Sequence, residues 1–201
     1  MVSLIIVANG SGQRFGGNKM LAKIDNDFLI NKTIECFSKV EKIKELILVS
    51  NKEVFDVIKN KDVIFVDGGK TRSESVKKGL EKVTGDITLI HDGARPFVSN
   101  QIIEQVIKNL DENDCVIPSL KITNCLKKIT NNKVETVNRE EYLESQTPQG
   151  FKTEVIKKSY EKAVGDFYDD CQLLENSNYK IKFVEGSYEN KKITFLKDIE
   201  W

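Results

Sequence analysis

Four glycines and two cations crowd into ten residues: Gly10, Gly12, Arg14, Gly16, Gly17 and Lys19. Glycines let backbone N–H groups converge on phosphate oxygens. Arginine adds a planar fork of donors, and lysine a compact charge. The combination points to a polyanion site. Its spacing fits neither familiar phosphate loop. A dinucleotide fingerprint needs Gly-x-Gly-x-x-Gly, and here three residues separate Gly12 from Gly16. A P-loop needs Lys and then Ser or Thr after its second glycine, whereas Asn18 follows Gly17. The bland alternative is a strand-to-helix turn with two solvated cations.

Two later segments also concentrate polar chemistry. One holds Gly68, Gly69, Arg72 and Ser75, and the other holds His91, Asp92, Ala94 and Arg95. No Ser–His or Cys–His arrangement for nucleophilic catalysis accompanies them. His91, the one histidine, reads as a satisfied strand-end residue rather than a base. Asp169 and Asp170 resemble a metal pair, but they also open a helix, where carboxylates favour the N-terminal dipole. No firm metal site follows.

These segments need elements to hold them. Residues 2–8 form a continuous apolar run that reads as a buried parallel strand. Further strands are expected at 46–49, 63–66, 87–90, 115–117 and 181–184, and helices at 28–40, 53–59, 71–80, 99–110, 153–164 and 171–175. Thr71 and Glu74 make a capping box for the third helix. The alternation predicts an α/β fold with a Rossmann-like, mostly parallel sheet flanked by helices. In such sheets ligands bind at the carboxyl ends of the strands. The glycine loop and the two polar segments follow the first, third and fourth strands, so all three meet there. Residues 122–137 break the alternation: two short segments flank Asn131-Asn132, as in a β-hairpin. The expectation is one domain over 1–201, with 120–140 projecting as a dimerisation arm or a lid.

Composition narrows the partners. The chain has 201 residues, and its 31 Lys and Arg balance 31 Asp and Glu. No broad basic face is expected, and hence no nucleic acid. No apolar run approaches the ~20 residues needed to span a bilayer. Cys36, Cys115, Cys125 and Cys171 form no Cys-x-x-Cys pair, which argues against zinc and for reduced thiols in the cytoplasm. The start of the chain runs into the glycine loop with no basic leader or cleavage site, so no signal peptide is expected.

Several segments, taken in order, carry a family likeness. They are Ala8-Asn9-Gly10-Ser11-Gly12 with Arg14 and Lys19, then Gly69 with Arg72 and Ser75, and His91-Asp92-Gly-Ala94-Arg95-Pro96. Asn138-Arg139, Thr147-Pro148-Gln149, Tyr168-Asp-Asp170 and Asn190-Lys-Lys192 follow. This series resembles the 2-C-methyl-D-erythritol 4-phosphate cytidylyltransferases, which have the nucleotide-diphospho-sugar transferase type of fold. The ribitol-5-phosphate cytidylyltransferases are near relatives. The resemblance implies transfer of CMP from CTP to a sugar-alcohol phosphate, with Mg²⁺, in a homodimer joined by the β-arm.

The resemblance also implies roles. Arg14, Lys19, Lys162 and Lys192 would be catalytic. Ala8, Asn9, Gly10, Ser11, Gly12, Gly69, Arg72 and Ser75 would bind CTP. Asp92, Ala94, Arg95 and Thr147 would face the second substrate. The nucleophile would be the acceptor's own phosphate, already largely dianionic at pH 7, so no general base is needed. The chain departs from the family at Asn9, where alanine is usual and the amide has room to point away. It departs again at Asn124 and Cys125, which replace an acid and a hydroxyl, and at Lys162, where arginine is usual. Ribitol 5-phosphate as acceptor, or a silent nucleotide-binding protein, are the alternatives.

Overall fold

The computed structural model describes residues 1–10, 12 and 14–199. Twelve strands run in chain order: β1 (Val2–Val7), β2 (Lys23–Ile24), β3 (Asp27–Phe28), β4 (Ile43–Ser50), β5 (Val63–Asp67), β6 (Ile87–Asp92), β7 (Cys115–Lys121), β8 (Lys127–Thr130), β9 (Lys133–Thr136), β10 (Leu143–Ser145), β11 (Gln149–Lys152) and β12 (Ile181–Glu185). The helices are α1 (Leu29–Ser38), α2 (Lys52–Phe55), α3 (Arg72–Leu80), α4 (Asn100–Asn109) and α5 (Thr153–Lys162). The central sheet has the order β10-β7-β11-β6-β1-β4-β5, with β12 also on β7. β1 pairs parallel with β4 and β6, β4 with β5, and β12 with β7.

Alternation along each strand builds two layers. Leu4 and Ile6 point to one face and Ile5 to the other; Leu46 and Leu48 oppose Ile47 and Val49 in the same way. α1 and α4 cover the first face with Ile30, Ile34, Phe37, Ile103 and Val106. α3 and α5 cover the second with Val76, Leu80, Val155, Ile156 and Tyr160. Each fully buried aliphatic side chain is worth about 1.5–3 kcal/mol against exposure. The fold is the expected mostly parallel sheet flanked by helices.

Four short strands were not expected: β2, β3, β10 and β11. β11 slots between β6 and β7 and runs antiparallel to both. It spans four residues, and its Gly150 has no side chain to mark a pattern. A Cβ at Gly150 would lie 2.5 Å from Val106, so glycine lets α4 press against the sheet. The segment expected to be helical at 171–175 is a 3-10 turn, Asp170–Leu174.

The hairpin is present. β8 and β9 pair antiparallel with each other, Ile129 opposite Val134. Asn131 and Asn132 between them both take positive φ, 50° and 62°, as a tight primed turn requires. All eight strand residues are exposed. Among the described residues no helix is long and apolar enough to cross a membrane.

Register then sets the site. Val7 stands beside both Val49 and Asp92, and Ser50 beside Asp67. The loops after β1, β5 and β6 therefore open side by side at one edge.

Candidate active site

A cleft of roughly 330 Å³ lies at that edge. Gly10 and Lys19, the two ends of the glycine loop, line it, and Gly12 lies in the curl between them, off the lining. The Gly12 carbonyl accepts from the N–H groups of Phe15, Gly16 and Gly17 at 2.8, 3.0 and 3.4 Å. Gly12 holds φ at +62°, and a Cβ there would sit 1.8 Å from the Gly17 carbonyl oxygen. Only glycine fits so tight a curl. Asn18 then caps a 3-10 turn, Lys19–Leu21, by accepting from the Met20 N–H. This points Lys19 across the cleft, where its Nζ donates to the Ile193 carbonyl at 3.0 Å. Burial lowers the Lys19 pKa, and the charges of Lys192 and Arg14 lower it further against the pull of Asp92.

Asp92, at the end of β6, anchors the floor. Its carboxylate lies 2.7 Å from Lys192 Nζ, 3.5 Å from Arg72 Nε and 3.8 Å from Arg95 Nε. Burial would raise its pKa, but Lys192, Arg72 and Arg95 outweigh burial and hold it well below the usual carboxylate range. Arg72 opens α3, with Thr71 as N-cap accepting from the Glu74 N–H. Glu74 reaches back to the Lys70 N–H, one residue beyond the expected box. Arg72 Nη2 donates to Asp170 Oδ2 at 2.6 Å, and the Tyr160 hydroxyl donates to Asp170 Oδ1 at 2.6 Å. Burial lowers the Arg72 pKa, yet Asp170 and Asp92 raise it on balance and keep it charged.

Around Gly69 the lining presents neutral groups beside Lys70. The Gly69 N–H donates to Ser75 Oγ at 3.0 Å, and Ser75 donates in turn to the Thr71 carbonyl at 2.9 Å. Asn9 Nδ2 donates to the Gly69 carbonyl at 2.9 Å, so its amide does not point away.

Behind the cleft, the Asn190-Lys191-Lys192 segment is pinned on both flanks. Buried Asn190 donates to the Thr147 carbonyl at 2.9 Å, and its own carbonyl accepts from Arg95 Nη1 at 2.6 Å. The Ile193 N–H donates to the Ala94 carbonyl at 2.8 Å. Lys191 turns away over the Phe97 ring. His91 bridges the layer beneath. Its Nε2 lies 3.1 Å from the Arg95 carbonyl, which can only accept, so Nε2 carries the proton. The neutral ring then accepts at Nδ1 from Thr147 Oγ1, 3.0 Å away, and Thr147 accepts from the Asp92 N–H. Burial lowers the His91 pKa to about 4, which keeps the ring neutral.

Ala8, Asn9, Gly10, Lys19, Gly69, Arg72, Ser75, Asp92, Ala94 and Lys192 thus line one cleft. Arg14 is exposed beside it and acts on Lys19 through its charge. Ser11 lies outside the described residues. Arg95 and Thr147, expected to face a substrate, are buried at 7% and 5% exposure and spend their polar groups inside the protein. Lys162 stands exposed at the end of α5 and does not line the cleft. Asp169 caps the 3-10 turn and Asp170 grips Arg72. Among the described residues no group of three or more His, Cys, Asp or Glu could hold a metal. Sequence reasoning did not pick out the cleft-lining Met20 and Lys70, and it read Thr71 only as a helix cap; it also missed the inward work of Tyr160 and Asn190, the last hinted at by the Asn-Lys-Lys motif alone.

Comparison with known proteins identifies the family and matches the fold. Residues 2–201 match the family model IspD, 2-C-methyl-D-erythritol 4-phosphate cytidylyltransferase. The chain is 37% identical to the enzyme of that name from Clostridioides difficile, covering 99% of this chain and 91% of the relative. It is 35% identical to the Alkaliphilus metalliredigens counterpart, covering 98% and 90%. The crystal structure of 4-diphosphocytidyl-2C-methyl-D-erythritol synthase from Anaerococcus prevotii superposes with a TM-score of 0.89 at 33% identity, covering 100% of this chain and 93% of that one.

Proposed function

The chain belongs to the 2-C-methyl-D-erythritol 4-phosphate cytidylyltransferase family, and we propose from that premise how its cleft divides the work. The enzyme transfers CMP from CTP to 2-C-methyl-D-erythritol 4-phosphate and releases pyrophosphate. A phosphate oxygen of the acceptor attacks the α-phosphorus of CTP. The new P–O bond forms as the bond to the bridging oxygen breaks, and the electron pair leaves with pyrophosphate. The observation that carries our division of labour is the convergence of Lys19, Lys192 and Arg72 on a cleft whose described lining holds one carboxylate, Asp92. Two anions must meet there, and fixed cations lower the cost of bringing them together.

Lys19 and Arg14 stabilise the charge that grows at the α-phosphate. Lys192 holds the attacking phosphate, and Asp92 sets the positions of Lys192 and Arg72. The backbone of Ala8 and Gly10 cradles the triphosphate, while Gly69 and Ser75 take the uncharged end of the nucleotide. No base is required, in keeping with a His91 whose two nitrogens are both spent.

Mg²⁺ fits as a passenger of the nucleotide. Asp92, the one carboxylate among the described cleft residues, is already engaged by cations, so the described residues offer no separate cage. When bound, the metal neutralises phosphate charge. The exposed arm supports a homodimer, and four free cysteines support a cytoplasmic setting.

The test is pyrophosphate release with CTP and Mg²⁺, run in parallel with methylerythritol 4-phosphate and ribitol 5-phosphate. Release with the first and none with the second is expected. The reverse would reassign the acceptor and leave the cleft chemistry in place.

A further inference from the structure

We propose that Asn9 reads the nucleobase: its carboxamide oxygen accepts from the exocyclic amine of cytosine and so favours CTP over UTP. This rests on the cleft being the CTP site. Its two ends differ in kind. Lys19, Asp92, Lys192 and Arg72 make one side ionic, whereas Asn9, Gly69 and Ser75 present neutral hydrogen-bonding groups on the other, where Lys70 is the one charged lining residue. A nucleotide has the same polarity, with a charged tail and an uncharged base, so the base falls among the neutral groups.

Three observations fix the Asn9 amide in a reading position. It lines the cleft. The Gly69 carbonyl can only accept, so the atom facing it at 2.9 Å is the nitrogen, and this leaves Oδ1 as the free end. Among the described residues Oδ1 takes no hydrogen bond. The amide also lies tight against Gly68, where a Cβ would come within 2.1 Å of Asn9 Cγ. The carboxamide is therefore held from both sides before any ligand arrives. A held acceptor pairs with the amine of cytosine and meets a second acceptor in uracil, whose carbonyl stands in the same place. Mismatches that leave a polar group unpaired are strongly rejected.

The experiment measures kcat/KM for CTP and for UTP at saturating methylerythritol 4-phosphate and Mg²⁺, in the native enzyme and two variants. Asn9→Ala removes both ends of the amide, and the CTP-to-UTP ratio should fall about tenfold, mostly through KM for CTP. Asn9→Asp keeps an acceptor but loses the donor to Gly69, and should keep most of the ratio. Equal ratios in Asn9→Ala and the native enzyme, with both nucleotides weakened alike, would make Asn9 a mere latch and overturn the proposal. So would equal losses of the ratio in the two variants. Native enzyme that turns over neither nucleotide would instead overturn the reading of the cleft itself.

Discussion

His91 sits fully buried at the end of β6 with both ring nitrogens occupied. Its neutral form lets Thr147 donate and Arg95 accept, so protonation would set a second donor against the Thr147 hydroxyl. Burial holds its pKa near 4 against an ordinary 6.5. Between these values the unfolded chain takes up a proton that the folded chain refuses. Stability therefore rises with pH across that window and is lost as pH falls through it. The shift corresponds to something on the order of 3 kcal/mol. As the only histidine, His91 can be isolated cleanly. Urea unfolding from pH 7 to pH 4 should show this slope, and His91→Gln should flatten it; an unchanged slope in the variant would assign it elsewhere. At this scale residue type and strand-end position made the glycine loop, Lys19, Arg72 and Asp92 legible, whereas Lys192 was legible only through the family resemblance. Arg95 and Thr147 share motifs with cleft residues and are themselves buried. Arg95 Nη1 reaches the Asn190 carbonyl, 95 residues away, and the Thr147 hydroxyl reaches His91, 56 residues away; no local spacing encodes such partners.

Elements were legible wherever burial was continuous. β1, β4 and β6 are apolar on both faces and announce themselves, whereas β11 is short and carries Gly150 and Gln149 in place of a pattern. Of the missed strands, β11 matters most to the site. It is bracketed by Thr147 on one side and by α5 on the other, and Gln149 Oε1 accepts from the Asp170 N–H beside Arg72. The loop after β1 offers the sharpest test at this scale. Gly12→Ala puts a methyl group into the Gly17 carbonyl and forces a side chain into left-handed backbone, at a cost of about 1–2 kcal/mol. The loop will reopen rather than the sheet unfold, since Gly12 packs against its own loop and not the core. Melting should shift by only a few degrees, while kcat/KM for CTP should fall by at least tenfold. A large melting shift with intact turnover would mean that the curl serves the fold and not the nucleotide.

Across the whole molecule, a net charge of zero concealed a local excess: Lys19, Arg72, Arg95 and Lys192 gather about two carboxylates, Asp92 and Asp170. The same composition concealed where apolar surface is left over. Ile129 and Val134 face each other across the hairpin at 71% and 66% exposure, and Tyr142 and Leu143 follow at its base. Two strands that pair only with each other are marginal in water, so an exposed apolar pair at their centre calls for a partner surface. A second copy of the chain is the partner that the arm reading supplies. Ile129→Glu together with Val134→Glu adds like charges to an exposed pair and leaves the cleft and both cores untouched. Sedimentation should move from dimer to monomer, melting of the domain should change little, and turnover should fall if the arm helps complete the partner's site. A variant that still sediments as a dimer would place the interface elsewhere. A monomer with full turnover would keep the arm as an assembly device and make each cleft self-sufficient.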